Sequence, residues 1–227
     1  SGILQMRQCN FQRCSYESAY ISYSSIARFT NTTLFQSSGS YLVEVYSADV
    51  WLINSTLQNT GASYDVYASQ NSNAYLLAST YSLVKSAIYF GSHIVNMSFC
   101  TARVVDKFNV GVKGATIDVK DAINNSLIQG KSGNNGYLYY VPITLKVHYQ
   151  SSSKVGNPHT FSAYNHSGTS IYSGTNVTSV SAGKLVNITL LLDPTAVYWA
   201  TDHVLTSNES YKNKRIVAAG NVTIPSP

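Results

Sequence analysis

Val50-Trp-Leu-Ile-Asn-Ser-Thr-Leu-Gln-Asn-Thr-Gly61 decides how the first hundred residues fold. Two short apolar runs with period-two alternation are broken at Asn54-Ser55 and closed by Gly61. The same wording recurs in Met6-Arg-Gln-Cys-Asn-Phe11, Phe29-Thr-Asn-Thr-Thr-Leu34 and Tyr75-Leu-Leu-Ala-Ser-Thr-Tyr81, at spacings of 23, 23 and 23 to 24. A second register runs between them through Ile21, Val43, Val66 and Ile88, with Tyr23, Val45, Ala68 and Phe90 two positions further on. No stretch sustains a 3.6 period, so these are strands separated by Ser, Gly, Asn and Asp turns. A repeat of about 23 residues made only of short strands predicts a right-handed parallel β-helix, with about three strands per coil and coils stacked about 4.8 Å apart.

Two details test that expectation. Asn31 and Asn54 lie 23 residues apart at the bend between two strands, where Asn tolerates the left-handed conformation. They stack inside as an amide ladder or stand outside as glycan acceptors; Gln8 before them and Leu77 or Ala78 after them do not continue a ladder, which favours exposure. Cys9 aligns with Thr32 and Ser55 as a small inward residue. Cys9 and Cys100 fall roughly 19 Å apart along the axis, too far for a disulfide, which leaves a Cys9 to Cys14 loop as the alternative to core packing. The repeat resembles those of surface proteins and of polysaccharide-active enzymes, over residues 1–100.

Composition narrows the functional class. Of 227 residues 11% are charged and 44% hydrophobic, so the chain can bury a core but lacks the usual charged surface. The net charge of +5 comes from few acids, and among 15 Lys and Arg only Lys212, Lys214 and Arg215 cluster, which argues against nucleic acid. Three cysteines without CxxC or Cys/His spacing argue against zinc and iron-sulfur centres, and no apolar run is long enough to span a membrane. Residues 1–12 lack the basic and apolar blocks of a signal peptide.

N-x-[ST] occurs nine times, at Asn31, Asn54, Asn96, Asn124, Asn165, Asn176, Asn187, Asn208 and Asn221. With 19 Asn in the chain, chance gives about four such sites. N-linked glycans on an exported chain would supply the solvation that charged side chains supply elsewhere.

After Cys100 the repeat stops. Ala102-Arg-Val-Val-Asp106, Val112-Lys-Gly-Ala-Thr-Ile-Asp-Val-Lys-Asp121 and Gly133-Asn-Asn-Gly136-Tyr-Leu-Tyr139 alternate and are punctuated by turns, predicting a β-sandwich over 101–193. Gly114 and Gly136 take the tight turns, Ala115, Ile117 and Val119 face inward, and Asp118, Lys120 and Asp121 are expected on the solvent face. The pattern resembles carboxypeptidase regulatory-like, prealbumin-type or Ig-like domains, which serve as spacers or binding modules. Residues 194–227 end on Arg215-Ile-Val-Ala-Ala-Gly-Asn-Val-Thr-Ile224-Pro-Ser-Pro, which reads as the opening strand of a further β-helix. The chain also begins in mid-repeat. Either it belongs to a larger repeating protein, or its last segment completes the β-helix of the next copy, head to tail, or that segment is a simple C-terminal extension packed on its own sandwich.

Catalysis finds little support. The β-helix acids are Glu17, Glu44, Asp49 and Asp65; Glu44 and Asp65 fall in adjacent coils, so a carboxylate pair is geometrically possible, and His93 has only Lys85 near it in sequence. Among 18 tyrosines, Tyr137, Tyr139 and Tyr140 could stack on sugars. The whole resembles archaeal-type extracellular surface glycoproteins. The expectation is an all-β, extracellular, self-assembling structural protein with N-linked glycans, no other cofactor, no metal and no catalytic residues: a filament, sheath or surface-layer subunit, or an adhesin stalk. The alternative is a carbohydrate-active or carbohydrate-binding β-helix protein.

Overall fold

The computed structural model describes residues 2–14, 18–36, 39–59, 61, 63–168, 170–199, 203–204, 215–218 and 221–223. The chain is all-β, 65% strand, and its first part winds into a parallel β-solenoid of about four turns. The first sheet of the solenoid stacks Ile3–Arg7, Ile26–Thr30, Asp49–Ile53, Asn73–Leu77 and the first half of His93–Val105 in parallel. The second stacks Asn10–Cys14, Thr33–Gln36 and Thr56–Asn59. The third stacks Ala19–Ser22, Tyr41–Tyr46, Tyr64–Ser69 and Ser86–Ile88. Alternate residues point inward, so Phe29, Leu34, Leu52, Leu76, Val43, Val66 and their neighbours form one continuous core.

Left-handed residues make the corners. Gln8, Asn31, Asn54 and Ala78 have φ of 54°, 52°, 46° and 50°, one on each coil between the first and second sheets. Each still donates its amide to the next coil, as Asn31 does to Ile53 O and Asn54 to Leu77 O, both at 2.9 Å. The residue after the corners at Asn31, Asn54 and Ala78 is small and hydroxylated, Thr32, Ser55 and Ser79 in turn, and Cys9 holds the same place after Gln8. The Thr32 amide donates to Ser55 Oγ at 3.2 Å and the Ser55 amide to Ser79 Oγ at 3.0 Å. A matching column lies between the third and first sheets, where the Ala48 amide donates to Ser72 Oγ and the Ser72 amide to Ser92 Oγ. Buried corner amides cannot reach a neighbouring carbonyl and would otherwise be orphaned, so inner hydroxyls complete the ladder. Cys9, at the end of the first column, is a free, half-buried thiol, as Cys100 is a free, buried one whose burial raises its pKa to about 11.

The third sheet departs from the expected register. Val43 pairs with Ala19 rather than Ile21, and Val66 with Ser86 rather than Ile88; Ile21 and Ile88 lie in register with Val45 and Ala68. Tyr23 and Phe90 therefore leave the strands and sit in the corners, at φ of 56° and 50°. A two-residue slip keeps every side chain on its face, so hydrophobic alternation alone does not resist it.

His93–Val105 joins the solenoid to the second part of the chain. Its first residues pair with Asn73–Leu77, its last with Leu185–Thr189, and Tyr137–His148 runs antiparallel along nearly its whole length. Ser153–Val155 adds the last strand. A second sheet, Ser126–Lys131, Thr116–Lys120, His159–Ser167, Ser170–Thr178, Leu191–Trp199 and Arg215–Ala218, shares a second core with it. Ala102, Val104, Val141, Ile143, Val186 and Ile188 meet Ala115, Ile117, Val119 and Phe161 there. Gly114 and Gly136 take left-handed turns, at φ of 73° and 80°.

Asp118 and Lys120 lie half-buried on the outer face, whereas Asp121 is buried. Its Oδ1 accepts the amides of Ile123 and Asn125 and its Oδ2 accepts Asn125 Nδ2, so it is a turn anchor rather than a solvent-facing residue. Among the described residues beyond 194, 196–199 pair in parallel with Arg215–Ala218 and His203–Val204 with Val222–Thr223, both at an offset of 19 residues, while Val197 also pairs antiparallel with Ser170.

Candidate functional site

Three rows of side chains line the outer face of the first sheet. Register stacks Asp49, Asn73 and His93 in one row, Arg28, Trp51, Tyr75 and Val95 in the next, and Thr30, Ile53, Leu77 and Met97 in the third. The polar row is hydrogen-bonded throughout. Asn73 Nδ2 donates to Asp49 Oδ1 at 2.9 Å, and Asn73 Oδ1 faces His93 Nδ1 at 3.0 Å. An ionised carboxylate only accepts, so the Asn73 NH₂ must face Asp49. His93 Nδ1 must then carry the proton, and Nε2 is left as an acceptor. Burial lowers the His93 pKa, which keeps the ring neutral at pH 7.

In the aromatic row Trp51 stacks on Tyr75, with centroids 4.1 Å apart and planes 12° apart, and the Arg28 guanidinium lies 6.0 Å from the Trp51 ring. Burial, and then the Asp49 charge, raises the Tyr75 pKa and keeps its hydroxyl protonated. Tyr149 meets His93 edge-on at 4.7 Å, and Lys154 Nζ lies 5.6 Å from the Tyr149 ring.

The second part of the chain closes the opposite wall. Ile123, Asn125, Ser126 and Leu127, on the turn held by Asp121, face these rows across a cleft of about 440 Å³, with Thr144 and Val147 also lining it. No Asp, Glu, Lys or Arg is among the lining residues.

The residues singled out in the sequence are dispersed. Asp65 occupies the place of Leu42 in the preceding coil and is buried, while Glu44 lies half-buried opposite Tyr67, so the two carboxylates are not register partners. The Asp65 Oδ2 accepts the Ser82 amide at 2.6 Å and its Oδ1 has no hydrogen-bond partner. Lys85 is exposed on the short turn Leu83–Lys85, and Glu17 lies outside the described residues. Among the described residues no group of three or more His, Cys, Asp or Glu could hold a metal ion. None of their helices is long and apolar enough to cross a membrane.

Tyr137 and Tyr139 stack at 5.4 Å with Arg103 over Tyr137, and Tyr140 meets Phe99 edge-on. A further run of rings, Tyr41, Tyr64, Tyr67 and Tyr89, paves the third sheet. No protein-family model matches the chain, and no curated protein is significantly similar to it.

The sequons divide by exposure. Asn31, Asn54, Asn124, Asn187 and Asn221 are exposed, the first two on the left-handed corners and not in an internal ladder. Asn96 is half-buried in a strand, opposite Leu76 on one side and Lys146 on the other. Asn165 Nδ2 donates to Lys113 O at 3.4 Å and Asn176 Nδ2 to Asn187 O at 2.8 Å. Asn208 lies outside the described residues.

The cleft went unread in the sequence, although part of it was available there. Asp49 and Asn73, like Trp51 and Tyr75, are one coil spacing of 24 residues apart, whereas His93 follows Asn73 by only 20. The wall from 123 to 127 is the turn of a local hairpin between Thr116–Lys120 and Ser126–Lys131, and what sets it against the solenoid is packing of the second core, which no local pattern encodes.

Proposed function

We propose that this chain is an extracellular structural protein that carries N-linked glycans and assembles head to tail, as a subunit of a filament, sheath or surface layer or as an adhesin stalk. The observation that carries the reading is the pair of exposed sequon residues, Asn31 and Asn54, on a solenoid corner whose interior is locked by hydroxyl ladders. A rigid stack with short polar corners holds few charged side chains, and glycans at the corners supply the missing solvation. The handedness of the solenoid is taken as right-handed. The unit over 101–193 is read as a prealbumin-type or Ig-like spacer.

Glycan mapping by mass spectrometry is the direct test. Modification is expected at most of Asn31, Asn54, Asn124, Asn187 and Asn221, and not at Asn96, whose backbone lies between two paired strands. Unmodified Asn at most of the exposed sites would remove the reading.

Support for assembly comes from the parallel pairing beyond residue 194, of 196–199 with Arg215–Ala218 and of His203–Val204 with Val222–Thr223. A parallel coil added to an unpaired edge continues main-chain bonding without new side-chain chemistry. Deleting residues 211–227 is expected to abolish polymers in electron micrographs while leaving a folded monomer. Polymers of normal length after that deletion would refute exchange through this segment.

A further inference from the structure

We propose that the cleft between the first solenoid sheet and the turn 121–127 binds a neutral saccharide, one or two pyranose units of a glycan. This goes beyond the structural reading and is independent of whether the chain itself carries glycans. The size fits, since about 440 Å³ lies within the range of roughly 300–1,000 Å³ for small-ligand sites.

The lining excludes most other ligand classes. A phosphate or carboxylate ligand wants Arg or Lys in the wall, and a cationic ligand wants Asp or Glu; the lining holds none of these. His93 is neutral by burial and does not change that balance. What the wall offers is apolar surface beside uncharged polar groups, the combination that matches the CH faces and hydroxyl edges of a pyranose.

The apolar part is built at the end of an aromatic ladder. Tyr75 has Trp51 against one face, and the next coil places Val95 rather than a third ring beside it. The ladder therefore stops at the cleft, with Tyr75, Val95 and Leu127 in its walls.

The polar part is fixed before any ligand arrives. Asp49 orients Asn73, Asn73 sets the His93 tautomer, and His93 Nε2 is the remaining acceptor. Across the cleft, Asp121 Oδ2 takes the Asn125 NH₂ at 3.0 Å, which leaves the Asn125 carbonyl oxygen as a second acceptor. Oriented acceptors on both walls suit a ligand rich in O–H donors. Groups already held by neighbours lose little freedom on binding.

The test is a titration of the full chain, read by tryptophan fluorescence because Trp51 lines the cleft. The probes are diacetylchitobiose, mannobiose and maltotriose, with trigalacturonate as the charged control. A saturable change is expected with at least one neutral probe and not with trigalacturonate. Asn125→Ala and Tyr149→Ala, each checked for an unchanged circular dichroism spectrum, should each weaken it about tenfold, equivalent to about 1.4 kcal/mol. Trp199→Phe should leave the signal in place, which assigns it to Trp51.

No saturation by any neutral probe up to tens of millimolar would overturn the proposal. So would tighter binding of trigalacturonate, or affinity unchanged in both folded variants. Loss of glycans or of polymers, with sugar binding intact, would instead count against the structural role alone.

Discussion

Gly136→Ala is expected to destabilise the protein by about 3–5 kcal/mol, the sum of a left-handed residue that has lost its glycine and a backbone collision. Gly136 has a φ of 80°, and a Cβ there would stand 2.2 Å from Val104 O and 3.0 Å from Gly111 Cα. Neither neighbour is a side-chain end that can swing away. Val104 O already accepts the Val112 amide and Gly136 O accepts the Val104 amide, so a shift breaks bonds on both sides of the turn. Gly114 is the internal comparison, left-handed at 73° with nothing within 4 Å of a built Cβ. Gly114→Ala should cost only the conformational part, about 1 kcal/mol. Urea midpoints at constant m value measure both; equal losses would show that the close approach of this turn to Val104 contributes nothing.

Ser55→Val should cost about 2–4 kcal/mol, because a buried amide loses its acceptor and a carbonyl its donor. Ser55 is 2% exposed, and its Oγ accepts the Thr32 amide at 3.2 Å while lying 2.9 Å from Ile53 O and 3.2 Å from Phe29 O. Valine fills the space and makes none of these bonds. Ser55→Thr restores the hydroxyl in a column that already holds Thr32, and should lose less than about 1 kcal/mol. A comparable loss in both variants, measured by denaturant unfolding, would place the cost in the extra methyl group and not in the ladder.

The solenoid was legible in the sequence because each coil is a local unit repeated at nearly constant length. Phe29 and Leu52 could be stacked by spacing alone, with the next step left open between Tyr75 and Leu76, and Asn31 and Asn54 could be placed at a bend from their spacing and their tolerance of positive φ. The third-sheet register was not legible: inward and outward positions survive a two-residue slip, and only the lengths of the corners at Tyr23 and Phe90 set it. Asp65 shows another limit. A charged residue in a strand reads as outward, but the bend at the start of Tyr64–Ser69 turns it into the place Leu42 fills one coil earlier. Asp121 was misplaced for a related reason, since alternation along Thr116–Lys120 stops where the turn begins and the carboxylate folds back onto its own backbone. The candidate cleft combined both situations. Most of its solenoid wall follows the repeat, whereas Tyr149 follows a strand paired antiparallel across some fifty residues of sequence and Asn125 is carried in by a hairpin packed on the second core.

The low charge of the chain takes on physical content in this fold. Corners only a few residues long, several of them anchored by the hydroxyls of Ser55, Ser72, Ser79 and Ser92, leave little room for long charged side chains, and the sheet faces between them carry stacked rings. Tyr20, Tyr23 and Phe90 are 55%, 75% and 64% exposed, so aromatic rings occupy part of the surface that charged side chains fill in most domains.

His93–Val105 belongs to both cores at once, with Ile94 in the solenoid and Ala102 and Val104 in the second cluster. A connection of this kind has no hinge. Tension applied along the chain would load the hydrogen bonds of this strand in shear, many together, instead of opening them one after another. Bending of one part against the other would have to deform a paired strand rather than a linker. Mechanically the two cores of the described residues are therefore coupled through one paired strand.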